Sequence, residues 1–426
     1  MKDKKRRWLE RGKTLLIILL SISALFLIGR SPLVQSSGLT DVFSDSRGSG
    51  DGDSASVSLA TAPIPIRMAV GSDQGLYGVQ YDQAASDALF DQVGPLLGEA
   101  LSTAGEPTAI RQNQWRDRLT GLCIYFDFAS PVPLSALCSW LKGGTAYTAP
   151  DISARWVLLA EETDGTISLC YATEEGEFYR CATTLSASLH LAAIVESVTP
   201  NSAFFAFEDE ELSEIAAPYT LFTSEEVKGM AYNSATPTIL SDEAQAETLL
   251  TALSFSNQNR AAVPEGVLYV DGDDTLRLSG SGRVVYDGSG EGKYTAGEGL
   301  VGAVDAAWAL VNATLGSICG DARLHLLSAL EGEEGDYTVT FGYVLNGSAV
   351  YLYEQGWAAR FCVQNGVIRE FTLYLRTYTA TNQQTLLLPA DKAAAALTAL
   401  SDEPKELVIQ YSDNGGSTVL PGWVGR

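Results

Sequence analysis

The chain has 426 residues, of which 46% are hydrophobic and 19% are charged, a composition typical of folded globular proteins and not of disordered ones. The formal net charge is −24, and beyond residue 13 the chain carries 21 basic and 50 acidic residues. Because a body this acidic is repelled by a phosphate backbone, the composition excludes nucleic acid as a partner.

The chain opens with a basic tail followed by an apolar segment. Residues 1–13 carry seven Lys or Arg residues against two acids, and residues 14–29, TLLIILLSISALFLIG, carry no charge. Basic residues beside an apolar span hold that side of the span in the cytoplasm. We therefore predict a single-pass transmembrane helix at 14–29 in a bacterial cell membrane, with the N-terminus in the cytoplasm and the bulk of the chain outside it.

The short length of this segment leaves a cleaved signal peptide as the alternative. Its sixteen residues span roughly 24 Å as a helix, less than the ~30 Å hydrocarbon core of a bilayer. Cleavage before Ser37 would use Val34 and Ser36 as the small residues, but no A-x-A site is present. Lys13 and Arg30 can extend to the two interfaces, so we favour the uncleaved anchor.

Three residues of the span are candidates for contact with a partner helix. Ser21, Ala24 and Ile28 fall on one face of a helix, and small or hydroxyl residues let transmembrane helices approach closely. We predict these three as partner-binding residues. The alternative is that they are incidental small residues in a generic anchor.

The remaining chain divides into a stalk and folded domains. Residues 30–62 are rich in Ser, Gly and Asp, which predicts a flexible stalk. Helical and alternating segments then follow each other, which predicts an α+β fold with antiparallel sheets covered by helices. We place domain 1 at 63–200, domain 2 at 201–290 and domain 3 at 291–426. A helix followed by a strand meander recurs, which predicts repeated PepSY-like units.

Hydrophobic periodicity locates the individual elements. In domain 1 it predicts strands at 64–70, 120–129, 154–162, 166–173 and 177–184, and helices at 80–103 and 134–141. In the later domains it predicts three helices: one with Ser241 as its N-cap, one at 296–316 and one after Pro389. It also predicts strands at 266–271, 274–279, 282–287, 322–329, 336–345, 348–354, 357–364, 366–378 and 406–412. The Asn-Gly pairs at 346–347 and 365–366 predict hairpin turns.

Two of the six cysteines have a spacing that is compatible with a disulfide. A two-residue turn at Glu175 and Gly176 would place Cys170 directly opposite Cys181, at a distance that a disulfide spans. The alternative is two free thiols packed as small hydrophobic groups on a buried sheet face, and we favour it.

No motif nominates catalytic, cofactor-binding or metal-ligating residues. His190 and His325 each lie in an apolar run, without the clustered ligands that a metal site requires. The stretch GSGEGKY at 288–294 is one residue short of a phosphate loop and is interpreted as a turn. DGDD at 271–274 lacks calcium-loop spacing and is interpreted as a β-hairpin. We therefore expect no enzymatic activity and no cofactor.

The C-terminal part of the chain resembles a known family. The segments are TVTFGYVLNGSAVYL, WAARFCVQNGVIREFTLYLRTYT, LLLPADKAAAAL and a final PGW, with SAFFAFEDEEL and APYTLF upstream. They resemble the extracytoplasmic YycH/YycI family over about residues 64–426. The resemblance implies a single-pass membrane protein that associates with a cell-wall sensor histidine kinase of a two-component system, together with a paralogous accessory protein, and modulates the kinase.

Three hypotheses for the function follow. The first is a non-catalytic accessory protein of a sensor histidine kinase, as the family resemblance implies. The second is a secreted or anchored PepSY-like binding or inhibitor module that acts on an envelope protein or hydrolase. The third is an envelope hydrolase, which the missing catalytic motif disfavours.

Overall fold

The computed structural model describes residues 64–142, 149–150, 152–223, 227–289, 292–399 and 405–426, without the side chain of Glu334. The predicted transmembrane helix and the stalk lie outside these residues. The described residues belong to one compact unit. The fold is α+β with antiparallel sheets, as predicted.

The N-terminal lobe is built on a seven-stranded antiparallel sheet, in the order β2-β1-β4-β5-β6-β7-β3. Its strands are β1 (Arg67–Ser72), β2 (Gly75–Gln80), β3 (Thr108–Ile110), β4 (Cys123–Pro133), β5 (Ser153–Glu161), β6 (Thr166–Ala172) and β7 (Phe178–Ser186). Its helices are α1 (Gln83–Ser102), α2 (Gln112–Leu119), α3 (Leu134–Lys142), α4 (Ala187–His190) and α5 (Ala192–Ser197). All five strands predicted in this region and both helices are present. The short elements β2, β3, α2, α4 and α5 were missed by the sequence pattern.

Both faces of this sheet are covered. Residues such as Phe126 and Leu159 alternate along the strands and face α1 and α3, which bury Phe90 and Leu137 in the main core. The opposite face carries Tyr125 and Cys170 and forms a second, smaller core. Strands with apolar residues on both faces are expected to lie in the middle of a layered structure, as they do here.

A connecting region joins the two lobes. It contains the small strand pair β8 (Phe204–Phe205) and β9 (Leu221–Phe222), a 3₁₀ turn at Ala206–Glu208 and the short helix α6 (Glu210–Ser213). These elements are formed by the segments SAFFAFEDEEL and APYTLF.

The C-terminal lobe is built on a twelve-stranded sheet and a three-stranded sheet, β21-β10-β23. Its strands are β10 (Gly229–Ala235), β11 (Arg260–Val263), β12 (Gly266–Asp271), β13 (Asp274–Ser279), β14 (Arg283–Asp287), β15 (Tyr294–Thr295), β16 (Arg323–Glu331), β17 (Tyr337–Leu345), β18 (Ser348–Leu352), β19 (Ala359–Gln364), β20 (Val367–Tyr374), β21 (Thr377–Thr385), β22 (Leu407–Asp413), β23 (Thr418–Val419) and β24 (Pro421–Gly425). Its helices are α7 (Glu243–Ala252), α8 (Gly299–Val311) and α9 (Ala390–Thr398).

Local sequence signals explain several of these elements. The Asn346–Gly347 and Asn365–Gly366 turns have positive φ at both residues and join paired strands, which confirms the predicted hairpins. Asp271 pairs with Asp274 across a turn, so DGDD is a hairpin as predicted. The cap of α7 differs from the prediction: Asp242, not Ser241, accepts hydrogen bonds from the first turn.

The twelve-stranded sheet combines strands from the predicted domains 2 and 3, since β14 pairs with β20. The division into three domains and the PepSY-like repeat stay predictions.

One helical stretch among the described residues, Gly299–Gly316, has the length and composition to span a membrane. In this structure it is a core helix, because Trp308 packs on Phe341 of the sheet at 5.5 Å between ring centroids. Trp308 also packs on Trp140 of α3 at 5.6 Å, and Trp140 Nε1 donates to Asp305 of α8 at 2.6 Å. The two lobes therefore share one hydrophobic core.

Candidate functional site

A cavity of about 730 Å³ lies between the N-terminal sheet, the connecting region and the chain around β22 and β24. This volume falls within the usual range of small-ligand sites, about 300–1,000 Å³. The residues that line it are Ala109, Ile110, Gln112, Arg155, Trp156, Gly176, Glu177, Phe178, Tyr179, Ala217, Pro218, Tyr219, Thr220, Glu406 and Arg426. It combines charged groups with an aromatic wall, and we take it as the candidate site.

Four charged side chains form a network, and two of them, Arg155 and Glu406, line the cavity. Arg67 Nη2 lies 2.6 Å from an Asp127 oxygen and 2.5 Å from Glu406. Arg155 donates to both oxygens of Asp127, at 3.0 and 3.2 Å, and to Glu406 at 2.6 Å. We call Arg67, Asp127, Arg155 and Glu406 the ion cluster. It ties β1, β4 and β5 to the residue that precedes β22.

Three of the four side chains of the ion cluster are almost completely removed from solvent, and Arg155 is 18% exposed. The side chains of Arg67 and Asp127 are 2% and 1% exposed, and that of Glu406 is 9% exposed. Burial alone would raise the pKa of Asp127, but the charges of Arg155 and Arg67 lower it to about 2. The same two guanidinium groups outweigh burial and lower the pKa of Glu406. Both carboxylates are therefore ionised at neutral pH.

Pairing within the ion cluster is incomplete. Nε and Nη1 of Arg67 are buried and have no hydrogen-bond partner among the described residues. Arg155 uses Nε and Nη2 for the carboxylates, and its guanidinium lies 5.1 Å from the centre of the Trp156 ring. Buried donors without partners are rare in folded proteins, so Arg67 is an incompletely paired buried cation next to the residues that line the cavity.

The aromatic wall is centred on Tyr219. Its ring lies 5.0 Å from Trp156, 5.9 Å from Phe178 and 6.4 Å from Trp115, measured between centroids. Trp115 comes from α2, which the sequence pattern did not predict. Edge-to-face contacts of this kind are each worth about 0.5–1.5 kcal/mol beyond area burial, which makes the wall a rigid surface.

The segment that carries Tyr219 is held by backbone hydrogen bonds. Ala217 N donates to Lys405 O at 3.0 Å, and Thr220 N donates to Ala217 O at 3.0 Å. The Tyr219 and Thr220 hydroxyls and the Trp156 indole N–H are buried without a partner among the described residues. Several polar groups on the side chains that line the site therefore have no hydrogen-bond partner among the described residues.

Arg426 adds a further cation to the cavity. Part of its surface is exposed to solvent and part lines the cavity, and its backbone pairs with that of Glu406 at 2.9 and 3.0 Å. Its guanidinium forms no salt bridge with a carboxylate in the described ranges. Partial burial and the nearby charge of Arg155 lower the pKa of Arg426. Glu177 and Glu406 also line the cavity, so its lining contains two acidic and two basic residues.

The predicted partner-binding residues Ser21, Ala24 and Ile28 lie outside the described residues. The predicted geometry of Cys170 and Cys181 is wrong by one residue. The hairpin turn runs from Thr173 to Glu177, so Cys181 pairs with Leu169 and Cys170 pairs with Arg180. A one-residue slip moves a side chain to the other face of a sheet, and the two sulfurs point into different cores. Both cysteines are free thiols in this structure.

The two histidines stay outside the candidate site. His325 is buried in β16 with both ring nitrogens unpartnered among the described residues, and burial lowers its pKa to about 4. His190 lies in α4. In the part of the chain that the structure describes, no group of three or more His, Cys, Asp or Glu residues is arranged to hold a metal ion.

The residues of the ion cluster were not singled out from the sequence, although a signal was present. Arg67 and Asp127 are lone charges in the apolar strands IPIRMAV and CIYFDFA. A charge in such a strand is costly unless it is paired, so each one indicates a partner elsewhere in the chain. The sequence does not identify that partner.

Comparison with solved structures identifies the class of fold. The chain has a YycH-like fold: it matches the crystal structure of YycH from Bacillus subtilis with a TM-score of 0.51 at 12% identity, over 87% of this chain and 99% of that chain. A second match, an uncharacterized protein from Eubacterium rectale, has a TM-score of 0.31 at 10% identity, over 47% of this chain and 77% of that chain, and carries no argument. No family model matches the chain. No curated protein matches it either.

Proposed function

We propose that this protein is a membrane-anchored extracytoplasmic accessory protein that binds and modulates a cell-wall sensor histidine kinase of a two-component system, without catalysing a reaction itself. The observation that carries the proposal is the YycH-like fold, which extends over 87% of the chain. The YycH/YycI resemblance implies association with such a kinase, together with a paralogous accessory protein. We also propose that the chain contains repeated PepSY-like units of a helix followed by a strand meander, and that residues 14–29 form its single membrane anchor.

The physical route for such control is differential packing. A transmembrane helix can shift a kinase between two signalling states only if it packs better against one of them. Ser21, Ala24 and Ile28 offer the close-packing face for this contact. The acidic, folded body would then respond to conditions outside the membrane, and the helix would transmit that response to the kinase.

The test exchanges side chains on two faces of the same span. In the tagged full-length chain, Ser21→Leu with Ala24→Leu alters the proposed face, and Ser23→Leu is the matched control on the opposite face. We expect the double variant to lose kinase co-purification from membranes and to change transcription of the kinase-controlled genes, while Ser23→Leu retains both. Recovery of kinase with every variant would refute helix-mediated control. Recovery of an envelope hydrolase and no kinase would instead support the PepSY-like inhibitor.

A further inference from the structure

One buried histidine lies where the two lobes meet. His325 of β16 pairs with Gly342 of β17, and the next residue on the same face of β17 is Val344. Val344 forms a small buried cluster with Ile66 and Ala129 of the N-terminal lobe, and β16 runs against β4 of that lobe. The side chain of His325 therefore faces the contact between the lobes.

A cavity of about 270 Å³ lies at this contact. Its lining includes Ile64, Ile66 and Gln83 from the N-terminal lobe and Trp308, Cys319 and His325 from the C-terminal lobe. Atoms beside a void lack contacts on one side, so the lobes are held together less strongly here than where they are close-packed.

The ring of His325 fits this place only in its neutral form. The residue is 6% exposed, and neither ring nitrogen has a hydrogen-bond partner among the described residues. Nε2 lies so close to Gly342 that a Cβ atom built there would be 2.9 Å away. A protonated ring would place a charge and two donors in this environment, at a much higher cost than the neutral ring.

The charged groups nearest to His325 do not compensate for protonation. Arg426 repels a cation at His325. Arg323 of the same strand donates to Asp87 of α1 at 2.6 Å, so this carboxylate already has a cationic partner. Burial raises the pKa of Cys319 to about 11, so its thiol is neutral in acid.

The ionisable groups of the other neighbouring elements are also engaged. Asp127 of β4 and Arg67 of β1 pair with each other at 2.6 Å within the ion cluster. Asp305 of α8 accepts from Trp140 Nε1 at 2.6 Å, and burial raises its pKa. A carboxyl group whose pKa is raised by folding stabilises the closed form as the pH falls, so Asp305 acts against opening in acid.

His325 has the opposite dependence on pH. Burial, with a smaller contribution from the charge of Arg426, lowers its pKa from 6.5 to about 4. A histidine with a lowered pKa stabilises the folded arrangement above pH 6.5, and this contribution is lost as the pH falls from 6.5 towards 4. A form in which His325 reaches water takes up the proton that the closed form excludes.

We propose that the contact between the two lobes is an acid-sensitive joint, which opens when His325 is protonated and exposes the cavity and Cys319 to solvent. Local opening of this kind needs only the weakest contacts of a fold to separate. The inference goes beyond the proposed function and does not rest on it, since the opening follows from the surroundings of His325 whether or not the chain contacts a kinase.

The experiment measures how accessible Cys319 is at different pH values. The full-length chain in detergent micelles is treated with N-ethylmaleimide at pH 7 and at pH 5, and peptide mass spectrometry gives the labelling rate of each cysteine. The half-buried Cys362 is the internal reference for the effect of pH on the reagent. From pKa values of 6.5 and about 4 for the open and closed forms, we expect the ratio of the Cys319 rate to the Cys362 rate to rise about twentyfold.

The chain has two histidines, so His190 of α4 provides the matched control. His325→Gln keeps a neutral polar side chain that does not titrate, and its ratio should stay constant within about twofold. His325→Leu removes the same titration with an apolar side chain and should behave in the same way. His190→Gln should retain the rise of the wild type.

Three results would overturn the proposal. The first is a wild-type ratio that does not change between pH 7 and pH 5, and the second is a rise that persists in His325→Gln or in His325→Leu. The third is an equal rise at Cys170, which is 0% exposed in the smaller core of the N-terminal lobe. Labelling of Cys170 together with Cys319 would show that acid unfolds the whole chain and not the joint.

Discussion

The molecule contains two buried arginine networks, and they differ in how completely the arginine is paired. In the C-terminal lobe, Arg376 donates from Nε and Nη2 to Asp413 at 2.8 and 2.9 Å and from Nη1 to Thr236 at 2.9 Å. Its Nη2 also reaches the Ser234 hydroxyl and a backbone carbonyl. In the ion cluster, Arg67 uses Nη2 alone, and its other two nitrogens have no partner among the described residues.

This difference distinguishes the Arg376 network, a structural joint between two sheets, from the ion cluster, which lies beside the candidate site. The Arg376 network joins the three-stranded sheet to the twelve-stranded one through Ser234 of β10 and Asp413 of β22, and every donor nitrogen of the guanidinium is used. The ion cluster joins more distant parts of the chain, and its members Arg155 and Glu406 line the cavity, while two nitrogens of the fully buried Arg67 have no partner among the described residues. Completeness of hydrogen bonding, and not burial or residue type, distinguishes the two regions.

The largest expected effect comes from breaking the complete network. Arg376→Met leaves Asp413, which is 2% exposed, buried without its cation. We expect the free energy of unfolding to fall by about 3–5 kcal/mol, the usual cost of an orphaned buried charge. Chemical denaturation of the full chain measures it, and Arg277→Met on the exposed face of β13 is the control. A loss below about 1 kcal/mol would show that the network is not a structural joint.

An intermediate effect is expected from acid acting on the ion cluster. Because the pKa of Asp127 is lowered from 3.8 to about 2, its ionised form stabilises the fold above about pH 4, and this contribution is lost as the pH falls through 2. This lowering of the pKa corresponds to about 2–3 kcal/mol in the free energy of unfolding. In denaturation series between pH 5 and pH 2, Asp127→Asn should therefore show a shallower loss of stability than the wild type. The exposed Asp117→Asn should keep the wild-type slope, and identical slopes for all three proteins would contradict the assignment.

The smallest effect should come from the unused hydroxyl of the aromatic wall. Tyr219→Phe removes an Oη without a partner among the described residues, and stability should stay within about 1 kcal/mol of the wild type. Tyr343→Phe is the matched comparison, because that hydroxyl donates to Tyr374 O at 2.9 Å and accepts from Arg376 N at 3.4 Å. Its removal should cost more, about 1–3 kcal/mol, since buried partners lose their bond. Thermal unfolding ranks the two, and the reverse order would refute the distinction.

Much of the secondary structure was readable in the sequence. The strands at 266–271 and 274–279 were predicted with the bounds that the structure shows, because alternation and Gly-containing turns act over a few residues. The helix α2 was missed because its buried face consists of Trp115 and Leu119 alone, too few to produce a visible period. The register at Cys170 and Cys181 was wrong because the turn has one residue more than assumed.

The sequence by itself determined the α+β class, the order of most elements and the acidic character of the body, since these depend on composition and on neighbours a few residues apart. Tertiary structure alone decided which charges meet. Arg67 and Glu406 are 339 residues apart and pair at 2.5 Å, and Tyr219 of the connecting region packs against Trp156 of β5. Such contacts form only when the layers pack. A buried charge without a partner costs free energy, and no local sequence pattern specifies which distant residue will pair with it.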